Sequence, residues 1–212
     1  MTASLPVLTL AETRVLGTLL EKQRTVPDTY PLSQNALIAG CNQKTSRQPV
    51  LDLSEADVAR ALDSLKDAGF VVEVSGSRVP RFEHRLEKAL AVPGQAAALL
   101  AVLMLRGPQT AGELRLNCER LYRFADISSV EAFLEELAGR ALVLELPRLP
   151  GAREKRWSHL LSGQPALKEE APALPRGCHE ELFELKARVA GLEAEVEELR
   201  ALLAGLRADL GG

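Results

Sequence analysis

The chain has 212 residues, with 26 Lys and Arg against 29 Asp and Glu and a formal net charge of −3. That length suits two small units plus an appendage. The near-balanced charge excludes a basic domain whose overall field draws in phosphate, so a nucleic-acid contact would need locally gathered positive charge.

Helix starts carry the Ser/Thr-x-x-Glu pattern, in which a hydroxyl caps the third helical amide and the carboxylate returns to the cap amide. It occurs at Thr9 with Glu12, Thr110 with Glu113 and Ser128 with Glu131, and more weakly at Ser54 with Asp57. Apolar spacing at Val15, Leu16, Leu19 and Leu20 predicts a first helix over residues 10–22, with a second near 32–40 and a third from 55 to 68 that stops at Gly69. The period then changes to two: residues 70–74 read as a strand, Ser75-Gly76-Ser77 as its turn and 79–84 as the return.

The second half repeats this order, with helices near 96–105, 111–120 and 129–138 and strands at 142–146 and 155–160. Leu62, Leu65, Val71 and Glu73 recur 72 positions later as Leu134, Leu137, Val143 and Glu145. Arg81-Phe82-Glu83-His84 recurs 75 positions later as Arg156-Trp157-Ser158-His159. Three helices followed by a hairpin is the winged-helix layout. The expected fold is therefore mainly α with small β-hairpins (α+β), built from two tandem winged-helix domains at residues 1–92 and 93–161. The join Ala91-Val92-Pro93-Gly94 is too short for independent tumbling, so the two should pack as one body.

A Pro/Gly-rich linker over 162–178 leads to a coiled-coil helix over 179–210. Its seam is Leu182, Leu185, Val189, Leu192, Val196, Leu199, Leu203 and Leu206, spaced alternately by three and four, with β-branched residues at two a positions favouring two strands. Parallel pairing sets Glu181 against Lys186, Arg188 against Glu193 and Glu195 against Arg200, all opposite charges. A homodimer is expected. Gly191 and Gly205 each cost this helix about 1 kcal/mol relative to Ala, so a second contact in the body is expected too. The alternative is an amphipathic helix folded back on its own body. Cys178 falls at a d position one heptad before Leu185, which predicts an interchain disulfide under mild oxidation.

The three cysteines form no pair at metal-ligand spacing, so no metal site and no cofactor is expected. The apolar run 96–105 is ten residues, about half a membrane span. It reads as a buried core helix, and no charged n-region with a long apolar stretch opens the chain. The expected location is cytoplasmic, without membrane contact.

Several motifs carry a family resemblance. Tyr30-Pro31-Leu32-Ser33-Gln34-Asn35-Ala36-Leu37, Cys41-Asn42-Gln43-Lys44-Thr45-Ser46-Arg47 and Gly76-Ser77-Arg78-Val79-Pro80-Arg81-Phe82-Glu83-His84-Arg85 closely resemble the YceH family of uncharacterised bacterial proteins. Arg106-Gly107-Pro108-Gln109-Thr110 and Arg120-Leu121-Tyr122-Arg123-Phe124-Ala125-Asp126 extend the resemblance across roughly residues 9–161. It implies a tandem winged-helix body and brings no established activity.

Winged helices that read DNA commonly insert the third helix in the major groove. Here that helix turns outward Asp57, Arg60, Asp63, Ser64 and Asp67 in one half and Ser128, Ala132, Glu135 and Glu136 in the other. Carboxylates facing a phosphate-lined groove are repelled, so reading by the third helix is disfavoured. The candidate phosphate contacts lie in loops and wings instead: Lys44, Arg47, Arg78, Arg81, Arg153, Lys155 and Arg156. Phe82 and Trp157 either stack on bases or fill the core. Two readings remain, a dimeric DNA-binding or regulatory protein touching duplex phosphates through these loops, and a protein-interaction module using the acidic helix faces. No phosphate loop, GxSxG or HExxH is present, so an enzyme is not expected. Cys41 and Cys118 read as buried, and His84 and His159 as structural hydrogen-bonding groups at equivalent points of the repeat.

Overall fold

The computed structural model describes residues 6–74, 79–148 and 154–164. These belong to one compact unit, Met1–Leu167, while Lys168–Gly212 forms a second unit. The seam residues Leu182, Leu185, Val189, Leu192, Val196, Leu199, Leu203 and Leu206 lie outside the described residues, as do Cys178 and the hairpin-tip residues Arg78 and Arg153.

The first unit is a mostly helical mixed α+β body with seven α-helices and two small antiparallel sheets among the described residues. Its first half runs α1 (Leu10–Thr25), a 3-10 turn (Pro27–Thr29), β1 (Leu32–Ser33), α2 (Gln34–Cys41), α3 (Glu55–Asp67), β2 (Val71–Val74), β3 (Arg81–His84) and a short α4 (Leu86–Leu90). Its second half runs α5 (Gly94–Arg106), α6 (Ala111–Cys118), α7 (Ile127–Gly139), β4 (Val143–Leu146) and β5 (Arg156–His159).

The repeat seen in the sequence is visible in the backbone. In the first half β1 joins the hairpin edge, setting Leu32 opposite Phe82 in the order β1-β3-β2. In the second, Gln109 bridges Trp157 at the equivalent point, beside the β4-β5 pair. The amide of Phe70 donates to Leu65 O and that of Leu142 to Leu137 O, and each closes its third helix onto its first hairpin strand. Ser33 and Thr110 cap α2 and α6, and Cys41 and Cys118 end those helices.

The expected capping boxes form at Thr9, Ser54 and Thr110, each satisfying two otherwise orphaned amides. The Ser128–Glu131 expectation is corrected: Asp126 caps α7, its carboxylate accepting from the Ser129 amide at 2.7 Å. Residues 32 and 33 are strand rather than helix, because Leu32 pairs with the hairpin and fills the core before the chain turns into α2. Neither β1 nor α4 is marked by a local period long enough to read.

The core runs through both halves. Every residue of Ala96–Leu105 is buried, so α5 is apolar on all sides as a central helix must be. Helix α1 lies against α5. Gly17 allows the approach, since a Cβ there would sit 3.0 Å from Leu105 Cγ and 3.4 Å from Ala101 O. Backbone bonds also cross between the halves: Gln48 N–H donates to Leu105 O at 2.8 Å and Leu8 N–H to Leu161 O at 2.7 Å. Arg140 donates to Leu90 O and Ala91 O. The two halves therefore share one core, as the short join implies.

A candidate interaction cleft

The loop between α2 and α3 is held from beneath by two buried arginines. Arg14 lies on the core-facing side of α1 at 0% exposure, where it donates to Cys41 O at 3.2 Å and Pro49 O at 2.6 Å. Its Nε is buried without a partner. Burial first, and the neighbouring Arg47 second, push its pKa below the ordinary guanidinium value.

Arg47 was a candidate phosphate contact, and that assignment is corrected. Its guanidinium is turned inward, donating to both carboxylate oxygens of Glu21 at 3.1 and 2.6 Å, to Gly40 O at 2.9 Å and to Gln43 Oε1 at 3.1 Å. Its side chain is 0% exposed, leaving no face for phosphate. Burial raises the Glu21 carboxyl, but the Arg47 hydrogen bonds and charge, with Lys22, outweigh it and hold the group below the usual carboxylate range. Sequence reading assigned neither Arg14 nor Glu21 a role; the signal was a charge on the apolar side of α1, with Arg14, Thr18 and Glu21 at helical spacing.

The other candidates are scattered and mostly engaged. Arg81 donates through Nη1 to Thr29 O at 3.2 Å and Pro31 O at 2.7 Å. Lys155 pairs with Glu145 at 2.7 Å, and Arg156 with Glu113 at 3.2 Å. Lys44 is exposed and makes no ion pair among the described residues. Among the described residues Arg81, Lys155 and Arg156 are thus each committed to a carbonyl or a carboxylate. Phe82 and Trp157 are 5% and 9% exposed and fill the core, so neither is a base-stacking platform.

What the fold does build is a cleft of about 580 Å³ in the first half, between the start of α2, the outward face of α3 and the β2–β3 hairpin. Leu62 and Phe82 form its floor, and Ser33, Gln34 and Asn35 supply a polar wall. The charges are Glu55, Asp63, Glu73, Lys66 and Arg81. Lys66 Nζ sits 2.9 Å from Asp63 and 3.6 Å from Glu73, and 6.0 Å above the Phe82 ring. The hydrogen bond to Asp63 is the main cause that raises its pKa above the ordinary lysine value. Glu55 stands in the first turn of α3, where the helix dipole favours an acid, and has no ion pair among the described residues. The acids outnumber the bases, and both bases are already satisfied. The cleft therefore favours a cationic or amide group over phosphate.

Burial accounts for the remaining reactive types. The Cys41 thiol lies 3.6 Å from Thr18 Oγ1 and burial pushes it up to about 11; burial likewise pushes Cys118 to about 12. His84 Nε2 meets Gln23 Oε1 at 2.8 Å while its Nδ1 faces the Leu86 amide, so the ring is a neutral structural bridge. Its repeat partner His159 has a buried Nδ1 with no partner, and burial lowers both rings to about 4. Among the described residues no group of three or more His, Cys, Asp or Glu is arranged to hold a metal, and no helix is long and apolar enough to cross a membrane.

Shape and site together define a mostly helical, internally repeated α+β body with an acid-rich cleft. Residues 8–152 match the family described as "Protein of unknown function, DUF480", and the chain belongs to that family. It is 71% identical over 198 residues to a UPF0502 protein of Dechloromonas aromatica (strain RCB), covering 92% of this chain and 93% of that one. A UPF0502 protein of Burkholderia pseudomallei (strain 668) is 64% identical over 176 residues, covering 82% of this chain and 74% of the relative. One from Albidiferax ferrireducens is 57% identical over 198 residues, covering 88% and 87%. The membership in an uncharacterised bacterial family read from the motifs is thus borne out.

Proposed function

We propose that this chain is a homodimeric tandem winged-helix protein that acts as an interaction module, docking a partner protein segment in the cleft between α3 and the β2–β3 hairpin. One observation carries the choice over phosphate binding: Lys66 and Arg81, the cations of that cleft, are held by Asp63, Glu73 and loop carbonyls, while the Glu55 carboxylate has no ion pair among the described residues. A duplex backbone there would meet three carboxylates, whereas a segment carrying Lys or Arg beside an apolar residue would pair with Glu55 and cover the exposed Val79. The winged-helix assignment is supported by the repeated order of helices and hairpin in both halves. The homodimer is supported by the Leu182–Leu206 seam of the sequence. In this reading the chain is not an enzyme.

The test is peptide display against the full chain, with Glu55→Lys and Asp63→Lys as comparison baits. Enrichment of basic, apolar peptides on the wild type, lost on the variants, supports the reading; no enrichment, or the same peptides on all three baits, contradicts it. A second reading, weak duplex contact led by Lys44 with Arg78 and Arg153, is favoured by one feature: Lys44 is exposed on a loop that Arg14 and Arg47 hold in place. Its mark would be a strong dependence on salt.

A further inference from the structure

The two halves balance the same acid in different ways. Leu62, Leu65 and Glu73 correspond to Leu134, Leu137 and Glu145, which sets Lys66 of α3 against Ala138 of α7 and, in the hairpins, Pro80 against Lys155. In the second half the hairpin supplies its own cation, with Lys155 at 2.7 Å from Glu145. In the first half a proline stands there, and Lys66 reaches across from α3 instead. The repeated packing therefore does not require a lysine on the third helix. Lys66 lines the cleft, 2.9 Å from Asp63, 3.6 Å from Glu73 and 6.0 Å above the Phe82 ring. Two carboxylates and an aromatic face are the surroundings that attract a partner's cation.

We propose that Lys66 stands in for the partner's own cation: it fills the Asp63–Glu73 subsite of the free chain and is displaced by an arginine of the docked segment. The inference rests on the docking reading of the cleft and adds a second subsite to Glu55. Asp63 and Glu73 keep 73% and 45% of their side-chain surface exposed, so both stay open to an incoming group. Lys66 holds Asp63 closely and Glu73 loosely, whereas a guanidinium fork carries donors enough for both carboxylates and lies flat on an aromatic ring. The exchange therefore favours arginine over lysine. Glu55 and Asp63 both line the cleft, eight residues apart on α3 and so about 12 Å along its axis. An extended segment covers about 13 Å in four residues. The partner's segment accordingly carries two basic residues four apart, one of them the arginine that displaces Lys66.

Titration of the full chain with the peptide acetyl-Arg-Leu-Ala-Leu-Arg-amide, followed by nuclear magnetic resonance at the backbone amides of α3 and β2, tests it. Lys66→Met keeps the stem and removes the charge, and it binds the peptide about threefold tighter or more, the scale of one or two surface ion pairs. Lys88→Met, at an exposed lysine of α4 outside the cleft, makes the same change in net charge and leaves the affinity at the wild-type value. Pulse acetylation of the wild type, read by mass spectrometry, needs no variant: saturating peptide speeds modification of Lys66 by releasing it to solvent. A peptide that binds Lys66→Met no more tightly than the wild type, that binds Lys88→Met as tightly as Lys66→Met, or that protects Lys66 overturns the displacement and leaves the docking reading standing. A peptide that binds neither the wild type nor Lys66→Met removes the docking reading and the displacement together.

Discussion

Replacing Arg47 by alanine separates a structural arginine from a phosphate contact without any ligand. In the structure its guanidinium is fully buried and bonded to Glu21, Gly40 O, Gln43 and Ser46 O. Removing it leaves the Glu21 carboxylate, whose side chain is only 15% exposed, without its main partner and strips the Gly40 carbonyl of both guanidinium donors. Breaking one side of a buried ion pair costs about 3–5 kcal/mol. For a unit of this size each kcal/mol moves the melting temperature by roughly 2–4 °C, so a fall of about 6–20 °C is expected. A solvated loop arginine would change stability by no more than about 0.5 kcal/mol, and Lys44→Ala, exposed on the same loop, is the matched control. Urea unfolding followed by far-UV circular dichroism gives both values. A loss under about 1 kcal/mol for Arg47→Ala would refute the buried network. Adding Glu21→Gln recovers part of the loss, because the carboxylate stranded by the first change is then neutral.

Three further outcomes follow from burial and spacing. Cys41 and Cys118, pushed to about 11 and 12, stay protonated near neutral pH, so native alkylation shows at most one fast thiol per chain; two or three would contradict the packing. His84 and His159 are held neutral to about 4 against an ordinary value of 6.5. The unfolded chain takes up these protons first, so their contribution is full above pH 6.5 and is lost as pH falls toward 4. His159→Asn should therefore shrink the fall in urea midpoint between pH 7 and pH 5, and an undiminished fall would remove His159 as a cause. Mild oxidation of the full chain should give a dimer band on non-reducing gels that Cys178→Ser abolishes; an unchanged band would exclude the parallel pairing.

The fold was legible where local chemistry and burial agree. Thr9, Ser54 and Thr110 stop one state and start another within four residues, and the recurrence of Leu62, Leu65 and Val71 as Leu134, Leu137 and Val143 follows from using one packing solution twice. Two-residue β1 was not legible, because Leu32 is strand only through its pairing with Phe82, fifty positions away. The candidate cations were legible as residues and not as an arrangement. Arg47 and Lys44 look alike in the loop sequence, yet one meets Glu21 from α1 and the other meets water, a difference set by long-range packing. The acidic outer face of α3 was read correctly from helical spacing, but its pairing of Lys66 with Glu73 requires knowing where the hairpin lies.

The most direct measurement is fluorescence anisotropy of labelled random duplex DNA with the full chain across a salt series, beside Lys66→Ala with Arg81→Ala. The engaged state of both cations predicts that affinity and salt slope are the same in wild type and variant. A slope that drops by about 0.9 for each cation removed would make the cleft a phosphate groove and contradict its assignment to a protein segment.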